Sequence, residues 1–151
     1  MKKPIITCAF LFLFIIFFIA RNGFVGSKKE DYELQERCGQ QATRYFEEQY
    51  GNDSYGNEKG IVMYNYAYHY SKKLNKCFIL RTVIYIPKDK ETLEILGGSL
   101  DKELRDVNDN NVYAMVSKFD KVNKPEKCIV KGEKCNSIIE WDTLVKPYME
   151  E

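Results

Sequence analysis

The side chains in this sequence best suited to chemistry or recognition are four alternating tyrosines, a single histidine and five cysteines. Tyr64, Tyr66, Tyr68 and Tyr70 alternate, so on a strand all four share one face. Tyrosine offers a large, stiff contact area with a hydroxyl at its tip. Such a stripe can hold a sugar, a peptide or a protein partner, or it can pack beneath a helix as core. His69 falls on the opposite face. A cysteine–histidine nucleophile needs a free thiol beside the imidazole. A serine triad on the usual strand-to-helix turn needs Gly-x-Ser-x-Gly, which the sequence lacks. Asp106-Val-Asn108-Asp-Asn110 has the alternation of a calcium loop. Position 12 of that loop would be Ser117, where a bidentate glutamate is required. A hairpin turn explains the same residues without a metal. The expectation is therefore no catalytic residues, no cofactor and no metal, with the tyrosine stripe as the candidate binding surface.

Cys8 lies inside an apolar run and stands apart from the other cysteines. Cys38, Cys77, Cys128 and Cys135 remain, an even number, which in a small exported domain reads as a disulfide framework. Of three pairings, Cys128–Cys135 fits best, because Lys131-Gly132 between them can turn the chain back. Cys38 then pairs with Cys77. A zinc site fits poorly, because the spacings differ from the usual close pairs.

The compartment is read from the N-terminus. Lys2 and Lys3 precede sixteen uncharged, mostly apolar residues, Ile5 to Ala20. A secretory signal has a basic start and an apolar stretch of about 7–15 residues, whereas a spanning helix needs about 17–25. Residues 1–27 thus read either as a signal peptide cut after Ser27 or as an uncleaved anchor holding the membrane through residues 5–25. Both readings export residues 28–151 as one domain, periplasmic, secreted or membrane-anchored. Removing Lys2, Lys3 and Arg21 changes the formal net charge from +1 to about −2. That balance gives no case for a nucleic-acid partner.

The elements that must carry these residues follow from periodicity. Leu34, Cys38, Ala42, Tyr45, Phe46 and Tyr50 form a helical stripe over 28–50. Ser27-Lys-Lys-Glu30 reads as its capping box and Gly51 as its end. Residues 52–60 read as a polar loop. Ile61–Tyr70 and Cys77–Ile86 read as paired strands joined through 71–76, with Pro87 closing the second. Both faces of the second strand are largely apolar, which suits a central strand. Residues 88–104 are ambiguous around Gly97-Gly98. Glu103–Val107 and Val112–Lys118 read as a hairpin through 108–111, and 128–135 as a small stapled one. Ser137-Ile-Ile-Glu140 caps a terminal helix whose apolar face is Ile138, Trp141, Leu144, Val145 and Tyr148, with Pro147 ending or kinking it. The expected fold class is α+β: an antiparallel sheet of four to five strands, disulfide-stapled, with the N-terminal and C-terminal helices packed on one face.

The leader, Cys38-x3-Ala42-x3-Phe46, the segment HYSKKLNKCF (69–78), the late cysteine pair and VKPYM (145–149) together resemble small exported bacterial proteins of an uncharacterised family. The resemblance spans most of the exported part and implies no activity. The functional expectation is a non-enzymatic binding or envelope interaction domain with a protein or glycan partner. One version is an inhibitor of a secreted hydrolase that presents the Cys128–Cys135 hairpin. The alternatives are a small periplasmic hydrolase or redox protein, and a purely structural membrane-anchored domain.

Overall fold

A computed structural model of the protein describes residues 5–51, 54–88, 97–119 and 124–150. Side chains are described from residue 28 onward, Ser54 excepted. Two compact units are present, residues 1–36 and 37–151. The first unit is helical from Ile5. The expected leader, residues 1–27, lies outside the residues whose side chains are described. Among the described residues, no helix is long and apolar enough to cross a membrane.

Helix α1 is assigned over Ile5–Tyr50. The expected start at Ser27 is corrected: residues before it are helical as well, and an N-cap needs a non-helical residue. Its end is as expected. Gly51 takes φ +66°, which glycine adopts freely, and its N–H donates to Glu47 at 3.0 Å.

The second unit is built on one antiparallel meander of seven strands, in chain order from β1 to β7. These are β1 (Ser54–Asn57), β2 (Gly60–Ser71), β3 (Lys76–Pro87), β4 (Ser99–Asp106), β5 (Val112–Phe119), β6 (Lys127–Val130) and β7 (Glu133–Lys134). The expected count of four to five is corrected. β1 hides in a polar stretch because an edge strand needs no apolar face, and β7 is only two residues long. The long hairpin keeps one register from Gly60 opposite Pro87 to Ser71 opposite Lys76. Three turns need a left-handed residue, and Asn75, Asn110 and the Lys131-Gly132 pair supply it.

Both faces of β3 are buried at Cys77–Ile79, and each has its own helix. Cys77 and Ile79 meet Cys38, Ala42 and Phe46 of α1. Phe78 and Leu80 meet Trp141 and Val145 of α2 (Ile138–Met149), together with Leu104, Ala114, Val116 and Val130. The expectation of both helices on one face is therefore corrected. Successive strand residues point to opposite faces, so α1 tied to Cys77 and α2 packed on Phe78 lie on opposite sides. The α2 cap forms as expected: Ser137 Oγ accepts from the Glu140 N–H at 3.1 Å. The Glu140 carboxylate accepts from the Asn136 N–H at 2.8 Å. Pro147 does not end α2, which runs on to Met149 and closes with Glu150 N–H donating to Lys146 at 3.0 Å.

Both expected disulfides are present. Cys38–Cys77 closes a sequence separation of 39 and Cys128–Cys135 one of 7. All four cysteines are buried, and the pairs fit an exported or otherwise oxidising environment. The longer loop loses more chain entropy on closure, so the first bridge should stabilise by about 4 kcal/mol and the second by about 2.5. Urea unfolding followed through Trp141, the one tryptophan and fully buried, should rank the double Cys→Ala variants in that order. The reverse ranking would contradict the clamp between α1 and β3.

Candidate functional site

α1 stops at Tyr50, and the sheet face it covers continues beyond it. Two rows of side chains cross that face, fixed by register. One runs Tyr66, Arg81, Glu103, Met115, Ile129. The other runs Tyr64, Val83, Asp101, Ser117, Lys127. Between them and Tyr50 lies a cleft of about 310 Å³ lined by Tyr50, Tyr64, Arg81, Asp101, Glu103, Ser117 and Lys127, among others. Ligand pockets start near about 300 Å³.

Its walls are held by internal contacts. The Tyr50 and Tyr64 rings lie 5.4 Å apart between centroids, tilted by 31°. The Arg81 guanidinium sits 5.1 Å over the Tyr50 ring and donates to the Tyr50 hydroxyl at 2.9 Å. It also pairs with Glu103 at 3.6 Å. Arg105 donates to the other oxygen of Glu103 at 2.8 Å, and that hydrogen bond raises the arginine pKa further. The Ser117 hydroxyl donates to Asp101. The Arg81 Nε is buried without a hydrogen-bond partner among the described residues. Lys127 is exposed.

The four tyrosines share one face, as the alternation requires, but they do different things. Tyr64 lines the cleft. Tyr66 stacks on Phe46 at 4.3 Å and bonds Thr43 at 2.9 Å. Tyr68 is exposed, and its ring fills the space beside Gly39, where any Cβ would come within 2.6 Å of it. The Tyr70 hydroxyl donates to Asn75 in the turn. Sequence reasoning puts Arg81, Asp101, Glu103 and Lys127 in no site, and names Ser117 only as position 12 of the calcium-like loop. The one signal is for Asp101 and Glu103, where alternation makes 99, 101, 103 and 105 all polar in β4.

His69 lies on the α2 side of the sheet, away from the cleft, with its Nε2 buried and unpartnered among the described residues. The stapled hairpin exposes Lys131, Gly132 and Glu133, yet the Lys131 ammonium lies 5.1 Å over the Tyr148 ring. A second cavity of about 390 Å³ on the α2 side is lined by Ile84, Ile86, Leu100 and Ile138. Its lining also includes Gly97 and Gly98.

The calcium-like segment is a turn built on an ion cluster. Asp106 is fully buried and accepts from Lys76 and from the Asn108 N–H. Lys76 also reaches Asp109 at 2.6 Å. Hydrogen bonds that Lys76 donates to Asp106 and Asp109 raise its pKa well above the usual lysine range. Lys76 in turn holds the Asp109 carboxyl below the usual aspartate value. The carboxylate that would open a calcium loop is thus committed to a lysine.

No family model, curated protein or solved structure matches the chain.

The ion cluster generates a pH dependence. A depressed Asp109 contributes stability above about pH 3.9 and loses it as pH falls through its folded value. A raised Lys76 contributes below about pH 10.4 and loses it only as pH rises through its folded value. Unfolding free energies measured from pH 7 to pH 2 should show a shallower acid loss in Asp109→Asn. Lys76→Met should be the more damaging variant at pH 7, because it leaves buried Asp106 without its cation. An acid arm unchanged by Asp109→Asn would contradict the cluster.

Proposed function

We propose that this is an exported, non-enzymatic binding domain of the bacterial envelope, and that the cleft beside Tyr50 and Tyr64 takes a polar, hydroxyl-rich ligand, a glycan. The observation that carries this reading is the pairing of two neighbouring tyrosine rings with fixed polar groups on an uncovered part of the sheet. Aromatic faces suit the C–H face of a sugar ring. Arginine, carboxylate and hydroxyl groups suit its hydroxyls. Because Arg81 and Glu103 are already held in place, little ordering cost remains for binding.

Export rests on the leader in residues 1–27 and agrees with the two disulfides. The domain is released to the periplasm or medium after Ser27, or stays on the membrane through residues 5–25. The non-enzymatic reading draws support from the four cysteines of residues 28–151, all paired, and from His69 on the far side of the sheet. The inhibitor version draws less, since the hairpin tip is held back against Tyr148. One observation favours a hydrolase: Asp101 and Glu103 both line the cleft, and a pair of carboxylates is what glycoside hydrolysis uses.

Titration with envelope-derived oligosaccharides, read by NMR at the Tyr50 and Tyr64 rings, tests the reading. Saturable shifts are expected. Ser117→Ala and Lys127→Ala should each weaken binding about tenfold, the worth of one lost hydrogen bond, with the fold unchanged. No shift at millimolar saccharide would sink the reading. Saccharide cleavage that Asp101→Asn abolishes would replace it with the hydrolase.

A further inference from the structure

A third row of side chains crosses the same sheet face beside the cleft. Register sets Tyr55 opposite Val62, Val62 opposite Tyr85, Tyr85 opposite Ser99 and Ser99 opposite Phe119. Two residues along the strands lie Tyr64, Val83, Asp101 and Ser117 of the cleft row, and strand residues two apart share a face. The Tyr55 ring accordingly lies 6.5 Å from the Tyr64 ring. Every second member of the third row is aromatic. Tyr55, Tyr85 and Phe119 are 55%, 37% and 54% exposed, with smaller Val62 and Ser99 between them. The central ring is held in place. The Tyr85 hydroxyl donates to the Lys59 carbonyl at 3.3 Å, and the ring lies beside Gly60, where a Cβ would fall 3.0 Å from it.

Single exposed rings are ordinary, but a row at a fixed interval selects a ligand. Each aromatic is two strands from the next, roughly 9.5 Å between backbone positions. One disaccharide of an extended β-1,4-linked chain has that length, and alternate sugars of such a chain turn the same face the same way. Every second sugar can therefore meet a ring, its C–H face against the aromatic face. A peptide strand repeats its face at roughly 6.7 Å, out of step with the rings. An α-1,4-linked chain coils and loses the interval. The sheet twists by roughly 20–25° per strand, and a chain free to turn at each glycosidic bond follows it. The row carries no charge, which suits a neutral polymer. The parallel row sets Asp101 and Ser117 at the edge of the path. We propose that this face binds a β-1,4-linked polysaccharide laid across the strands, with alternate sugars on Tyr55, Tyr85 and Phe119 and edge hydroxyls toward Asp101 and Ser117. The proposal rests on the glycan reading of the cleft and adds the linkage and the direction of the chain.

The test titrates β-1,4-linked N-acetylglucosamine oligomers and cello-oligosaccharides, two to six sugars long, into the protein recovered from an exporting host. Maltohexaose is the α-1,4 control. Calorimetry gives the affinity, and NMR the shifts of each aromatic ring. Two rings need three sugars and three rings need five. In the series that binds, affinity should therefore rise at three sugars and again at five, about fivefold at each step. The tighter series identifies the substituent the site takes. Phe119→Ala should remove the step at five and keep the step at three. Tyr85→Ala should remove the step at three and keep the step at five, and neither should change Trp141 fluorescence. Affinity independent of length, with shifts at Tyr50 and Tyr64 alone, would overturn the proposal and leave the cleft reading standing. Equal binding of maltohexaose would also overturn it. No shift at any ring would overturn both.

Discussion

A strand that is apolar on both faces cannot be satisfied by one layer of helix. β3 is that strand. Its odd residues need a cover and its even residues need another, and the protein supplies them from opposite ends of the chain. The Cys38–Cys77 bridge fixes the first cover covalently, joining a buried helical position to a buried strand position. Trp141, Val145 and the stapled β6–β7 hairpin close the second. With Cys77, Phe78 and Ile79 of β3 buried on both sides, its neighbours inherit their register, and the meander extends outward by one hairpin after another. A domain of this size has little apolar surface to spare, so two covalent closures in its core are a large part of what holds it.

The same arrangement explains where polar side chains collect. α1 ends at Tyr50 and leaves part of its sheet face uncovered. Across that part β4 carries Asp101, Glu103 and Arg105, which no apolar layer would accept unpaired. They are matched to Arg81 and Ser117, and the result is a rigid polar floor beside an aromatic wall. A fixed polar cleft is a consequence of helix length before it is a function. Its groups are ordered already by their own pairing.

Much of this was legible in the residues. The helical stripe ending at Gly51, the long hairpin, the turns at 108–111 and 131–132, the Ser137 cap and both disulfides follow from spacing and local chemistry. The two apolar faces of β3 were legible too. Their implication is one cover per face, which rules out both helices on the same side, and the alternation around Cys77 and Phe78 carries that information. β1 was not legible, because four polar edge residues have no pattern to distinguish them from a loop. The cleft was not legible for a different reason. Arg81, Glu103 and Ser117 come from three strands, and only the ladder register brings them together. The tyrosine stripe shows the limit of periodicity. It fixes a shared face but cannot say that Tyr66 packs under α1 while Tyr64 borders a cleft.

The central claim is that β3 is clamped to α1 through Cys38 and Cys77. Peptide mapping by mass spectrometry of protein recovered from an exporting host, digested without reduction, tests it most directly. The account predicts one linked peptide joining Cys38 to Cys77 and a second closed by Cys128 and Cys135. Free thiols at Cys38 and Cys77, or a link from either to Cys128 or Cys135, would contradict it.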